Sequence, residues 1–368
     1  MEMRSPHEEL VATLARTPLG PASIDRLAAR MRAPIDWNNV LATAAAWDVE
    51  PVVLSNLRSH FFAAMPYDVL LRVELRERET RAWSLAQSLM VAELAQQLEN
   101  AGIPVIVLKG PAVSLLAYGD ASLRTFSDID LLIRSADIPA ARQFLLDDGY
   151  ERGYAIDLES HLIRHGHGLG FGNGRNTIDL HEVLFPRHLR LDLDSSGVWE
   201  NAISITCGSG RFRSLSRPHL FLFLCAHGAK HMWARERWIA DIANFVERLS
   251  GDDISRVVEL ANRSHSRRIL SIALHLAQGI PGTDISRFPS EAIGPDEPPF
   301  TPRVRPGADP NLSHLRYWAS TRERLIDRIG SYASVLFVPT EKDRGPGPIP
   351  WLHRPLRVGL NIVRRAIA

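Results

Sequence analysis

Residues 108–133 read LKGPAVSLLAYGDASLRTFSDIDLLI. The stretch ends in DIDLLI, apolar enough for a buried strand yet carrying Asp128 and Asp130. In a strand, residues i and i+2 project from one side. The two carboxylates therefore share a face, and Ile129, Leu131 and Ile133 pack the other. Two ionised carboxylates so close repel, and one takes up a proton unless positive charge sits between them. A divalent cation is the usual remedy. Mg2+ prefers oxygen ligands, takes few protein carboxylates and fills its shell with water and phosphate oxygens. The alternative is plainer: one Asp caps the next element and the other is solvated at the strand edge.

A second carboxylate-bearing strand follows in NTIDLHEVLF, where Asp179 interrupts an apolar alternation and His181 shares its face. Placed beside the first pair, Asp179 would complete a site for two metals, which grips the attacking and leaving oxygens of phosphoryl transfer. It could also draw the proton from an incoming hydroxyl. Otherwise Asp179 is a charge at a hairpin edge.

The surrounding pattern is α+β. Residues 1–100 read as helical, with Asp36 and Asp68 as N-terminal caps. Leu85, Leu89, Ala92, Leu94 and Leu98 recur at helical spacing before Gly102 ends the run. PVIVLKG is a strand, and Pro111 starts a short helix. ADIPAARQFLLDDGY is a helix from Asp137 to Gly149. Asn173-Gly174 marks a hairpin turn. A small mixed sheet within a core of residues 101–212 is thus flanked by helical regions 1–100 and 213–280, the latter with one helix near 254–278. A Pro/Gly-rich linker spans 281–311, and a last helix with a basic tail spans 312–368.

Bulk properties exclude several classes. With 368 residues and a net charge of +1, no global field draws the chain to nucleic acid. Two cysteines and no Cys-x-x-Cys argue against a disulfide framework or a thiolate zinc site. The start is not a secretory signal. The longest apolar run, near LFLFLCA, is far short of the roughly 20 residues a membrane span requires. A cytoplasmic protein without a transmembrane segment is expected.

LKG, YGD, LRTFSDIDLLI and IDLHEVL together resemble the bacterial nucleotidyltransferase-like family of the DNA polymerase β superfamily. So do ENAGIPVIVLKG, RQFLLDDGY, HLFLFLCAHGAKHMWARERWIADI and the VPTEKDRG…WLHRPLRV ending. The resemblance implies a palm-like sheet flanked by helices, with Asp128, Asp130 and Asp179 holding two Mg2+ ions. It implies a nucleoside triphosphate such as ATP as co-substrate, contacted by Lys109, Gly110, Arg124, Ser127 and His181. A nucleoside monophosphate would pass to a small-molecule, peptide or protein acceptor, and pyrophosphate would leave. The sequence departs from the superfamily at Leu108-Lys109-Gly110, which stands where a Gly-Ser turn holds the triphosphate: lysine precedes the glycine and no serine follows. Gly110 permits close backbone approach to phosphate. Lys109 or Arg124 could neutralise its oxygens. Alternatively Lys109 reaches solvent and Arg124 salt-bridges the aspartate pair.

Other histidines carry weaker signals. His161, His165 and His167 suggest a zinc site or, more simply, hairpin decoration. His227 and His231 fall on one helical face without the intervening Glu of a metalloprotease, and are read as turned toward the nucleotide cleft with Lys230 and Asp241 nearby. GHGLGFGNG mimics a phosphate loop, but no helix follows it. Arg354, Arg357, Arg364 and Arg365 make a basic tail able to touch anionic lipid, or to pack on the body. Two rival functions stand beside nucleotidyl transfer: a catalytically silent nucleotide-binding or regulatory module, and a glycosyltransferase using the Asp-x-Asp pair.

Overall fold

The computed structural model describes residues 4–194, 197–294 and 310–337. Its N-terminal third is helical: Pro6–Leu14, Pro21–Arg30, Trp37–Ala46, Glu50–Phe61 and the long Tyr67–Asn100. Asp36 caps as expected, accepting the Asn39 N–H at 3.1 Å. Asp68 does not cap. Pro66 sets the extended boundary of its helix, and Asp68 falls in the first turn, 3.8 Å from Arg72. Beyond the long helix Gly102 adopts φ +78°, and the Ile103 N–H closes on the Leu98 carbonyl at 2.9 Å. Ala92, Leu94 and Leu98 are buried, but Leu85 and Leu89 remain exposed.

The sheet has seven strands: β1 Val105–Val107, β2 Asp128–Ile133, β3 Glu151–Arg152, β4 Leu169–Gly172, β5 Thr177–His181, β6 Ile203–Cys207 and β7 Gly210–Ser214. Their spatial order is β3-β4-β5-β2-β1-β7-β6. β2 runs antiparallel to β1 and parallel to β5, and β1 runs parallel to β7. The mixed sheet is the one expected, extended by β3 at one edge and by the β6–β7 hairpin at the other. That hairpin, ISITCGSGRFRS, was not read from the sequence. It joins the sheet through one register pair, Val107↔Ser214, and a Ser214 hydroxyl bond to the Val107 carbonyl at 2.8 Å.

Four helices follow the last strand: Arg217–Lys230, Glu236–Val246, Gly251–Arg263 and Arg267–Gln278. The single helix expected at 254–278 is therefore two. Between them His265 takes φ +51° and the Ser266 N–H bonds back to Ala261. Pro310–Thr321 and Leu325–Phe337 likewise replace one expected terminal helix. At the break, Arg322 is buried and donates to the Arg190 carbonyl at 2.9 Å. The basic tail bearing Arg354, Arg357, Arg364 and Arg365 lies outside the described residues. Apolar side chains of the early helices, the sheet and the later helices form one contiguous cluster. Among the described residues, no helix is long and apolar enough to cross a membrane.

Candidate functional site

β2 alternates as its sequence requires. Ile129 and Leu131 are buried on one face, and Asp128 and Asp130 project from the other. Asp128 opens the strand and is 43% accessible, whereas the Asp130 side chain is 7% accessible. The parallel register pairs Asp130 with Asp179, so Asp179 and His181 emerge on the same side. Two glycines of the neighbouring strand region make room for them. A Cβ at Gly170 would lie 3.3 Å from Asp179 Oδ1, and one at Gly168 would lie 3.1 Å from His181 Cε1. The glycine-rich run is thus a strand and turn that clears space for the site, not a phosphate loop.

Positive charge does stand between the carboxylates. Lys109 Nζ is 2.9 Å from Asp130 Oδ2 and 3.9 Å from Asp128 Oδ2. His181 Nε2 is 3.1 Å from Asp130 Oδ1. Burial pushes the Asp130 carboxyl up, but the Lys109 ammonium and the His181 imidazole outweigh it and hold the group below the usual carboxylate range. Asp179 goes the other way. Burial raises it, His181 opposes, and the charges of Asp130 and Asp128 raise it further. Two neighbouring carboxyls with pKa values driven apart suit separate acid and base duties.

Asp130, Asp179 and His181 present donor atoms all within 4.8 Å of one another. Asp130 Oδ2 is buried and has no directed hydrogen bond despite the nearby ammonium. An underused carboxylate oxygen, a second carboxylate and an imidazole fit a divalent cation. Asp128 stands apart from this cluster, on the cleft side and linked to it through Lys109. Ser127 lies at the same edge, its hydroxyl 3.5 Å from Asp128 Oδ1.

Arg124 is placed differently from either expectation. It is buried and grips Asp241 with two bonds, Nε to Oδ1 at 2.8 Å and Nη2 to Oδ2 at 2.9 Å. The Tyr118 hydroxyl donates to the same carboxylate at 2.9 Å. Asp241 is 1% exposed and takes the Arg124 Nε and Nη2, while Nη1 reaches the Thr125 carbonyl at 3.4 Å and the guanidinium lines the cleft. Gly110 takes φ +59°, and a Cβ there would sit 3.3 Å from the Phe126 ring. Glycine is required by both the backbone and the close aromatic.

A cleft of ≈ 240 Å3 opens beside Asp128, floored by Lys109 and Gly110 and walled by His227, His231 and Trp238. His227 and His231 turn toward it as expected, their rings 4.7 Å apart and each 5.3 Å from Trp238. Burial and the surrounding cations hold His227 well below its ordinary value and bring His231 down to about 4. Both are neutral at physiological pH. The other histidines leave the site. His161 and His165 lie on a helix, Glu159–His165, not on a hairpin. His167 packs against His188 with rings 5.5 Å apart. No zinc-like histidine triad forms among the described residues. Trp238 and Arg237, which shape the far wall, were not singled out from the sequence. Their only local signal was the WARERWIADI segment.

The family described as "Uncharacterised nucleotidyltransferase" matches residues 33–280. No curated protein matches. Among solved structures, an antigenic nucleotidyltransferase-like protein from Paracoccidioides brasiliensis is similar at 19% identity and a TM-score of 0.31, covering 52% of this chain and 91% of that one.

Proposed function

Because the chain belongs to the uncharacterised nucleotidyltransferase family, we propose that it transfers a nucleoside monophosphate from a nucleoside triphosphate to an acceptor hydroxyl in an Mg2+-dependent reaction. The acceptor oxygen bonds to the α-phosphorus, the α–β bridging bond breaks, and pyrophosphate leaves. The observation that carries this reading is the in-register Asp130/Asp179 pair beside Lys109, a residue that also lines the cleft.

Asp130 and Asp179, with His181 and with Asp128 at the rim, would hold the divalent cation. When bound, it would neutralise phosphate charge and acidify the acceptor hydroxyl. Asp179, whose carboxyl is raised, is the group suited to take the acceptor's proton. Lys109 would exchange its carboxylate partners for phosphate oxygens. Gly110 admits the phosphates close to the backbone. Trp238 and the neutral His227 and His231 offer an uncharged, stackable wall against which a substrate can exclude water. The sugar-nucleotide reading is set aside, because the family match spans both carboxylate strands.

One observation favours a silent binding module: Lys109 already neutralises Asp130 without any metal. Thermal melting with each ribonucleoside triphosphate, with and without Mg2+, separates the two. A ligand at about 100 times its dissociation constant adds roughly 2.7 kcal/mol of stability. Transfer requires a shift that depends on Mg2+ and disappears in Asp130→Asn. Protection without metal, retained in Asp130→Asn, would identify a binding module instead.

A further inference from the structure

The cleft has a second charged end, away from the carboxylates. Arg235 and Arg237 line it from the start of the helix Glu236–Val246. Arg237 is 8% exposed. A guanidinium carries five N–H donors. Here Nη1 reaches the Thr125 carbonyl at 3.3 Å, and the nearest carboxylate oxygen, on Asp48, is 3.7 Å away. Buried Nε donates to nothing among the described residues. Asp48 lies closer to Arg235, at 3.4 Å. Asp241, the other nearby acid, is fully engaged by Arg124 and Tyr118.

A buried, undersatisfied guanidinium is costly unless something completes it. Arg124 shows what completion looks like in the same cleft. The helix that carries Arg237 adds the positive end of its peptide dipole, and no side chain caps that N-terminus. With the neighbouring histidines neutral, the unbalanced charge at this end is positive.

We propose that Arg237, flanked by Arg235, forms an oxyanion subsite that takes a phosphate group of the reaction's substrates. The subsite lies in the same cleft as Lys109 and Asp128, and a bound phosphate competes with Asp48 for the two guanidinium groups. Naming the ligand as a substrate phosphate rests on the nucleotidyl-transfer reading; the oxyanion chemistry does not. Two substrates could supply the group: the terminal phosphates of the nucleotide, or a phosphate carried by the acceptor.

Inorganic tripolyphosphate, titrated calorimetrically into the full chain without metal, probes the subsite directly. A charge-assisted hydrogen bond is worth about 1.5–3 kcal/mol, so Arg237→Met is expected to weaken binding roughly 10- to 100-fold. Arg237→Lys, which keeps the charge and loses the fork, falls between. Asp48→Asn, which removes the competing carboxylate, tightens binding and keeps the test open should Arg237→Met fold poorly. Equal affinity in wild type and Arg237→Met, or weaker affinity in Asp48→Asn, would overturn the proposal. Asp130→Asn separates this result from the activity reading. In that background Arg237→Met still weakens tripolyphosphate binding if the subsite is real, whether or not Mg2+-dependent nucleotide protection exists. A final arm saturates the protein with an α,β-methylene triphosphate and adds orthophosphate. Arg237-dependent uptake assigns the subsite to the acceptor, and exclusion assigns it to the nucleotide.

Discussion

Two buried aspartates, one on the sheet and one on a helix, meet lysine or arginine in opposite ways. Asp241 is sealed: its oxygens take Arg124 in a two-bond fork and the Tyr118 hydroxyl, and almost none of it reaches solvent. Asp130 is also buried but left open to bargain. Its Lys109 contact is a point charge, its Oδ2 lacks a directed bond, and a second carboxyl beside it has been made reluctant to ionise. A finished ion pair holds elements together. An unfinished one keeps a ligand's place, and Arg237 repeats that condition with the sign reversed.

The sealed pair gives the largest expected effect. Asp241→Asn leaves Arg124 charged and buried with no counter-ion, and breaking a pair of this kind costs about 3–5 kcal/mol. Chemical denaturation of the variant checks it. A loss near zero would mean that Arg124 can swing out to solvent, and the pair would then be no more structural than Lys109–Asp130.

Arg124→Lys sharpens the same contrast with a smaller change. Lysine keeps the charge but cannot reproduce the fork, which predicts a loss of about 1–3 kcal/mol in stability. Nucleotide affinity of the folded fraction should change little, because the Arg124 Nε and Nη2 are committed to Asp241. A selective loss of triphosphate affinity with unchanged stability would return Arg124 to the phosphate role first expected of it.

That reassignment marks where sequence reading stops. The two carboxylate strands were legible because period-2 alternation is local: an acid at every second position in an apolar run declares its face. The Asn173-Gly174 turn and the Gly102 helix end were legible for the same reason. What decides Arg124 is Asp241, more than a hundred positions away on another helix, and no local pattern announces that partnership. Arg237 escaped notice likewise, since an arginine's lack of partners exists only once the chain is folded. The β6–β7 hairpin failed differently. Its strands are short, of their residues only Ile205, Cys207, Phe212 and Ser214 are buried, and it holds to the sheet chiefly by one register pair and a serine hydroxyl. Gly168 and Gly170 were read only as part of a run that mimics a phosphate loop, whereas the fold uses their missing side chains.

The smallest effect tests whether Asp179 belongs with the open centre. Its carboxyl is raised above the usual 3.8 in the folded protein, chiefly by burial and then by Asp130 and Asp128, with His181 opposing. In acid both the folded and unfolded chains hold the proton, so the group affects stability little. As pH rises past the ordinary carboxylate value, the unfolded chain ionises freely while the fold resists, and wild type loses stability until the folded carboxyl also ionises. Asp179→Asn escapes that loss. Its melting temperature should match wild type in acid and exceed it at neutral pH. Asp130 is depressed and has the opposite sign: Asp130→Asn should melt below wild type at neutral pH, with the gap closing as pH falls through the carboxylate range. Two acids in one register pair would then push stability in opposite directions at the same pH. Such a pattern belongs to a site held ready for a cation rather than to a salt bridge built for stability. Parallel pH–melting curves for the two variants would break the comparison, because they would show that Asp179 and Asp130 share one environment.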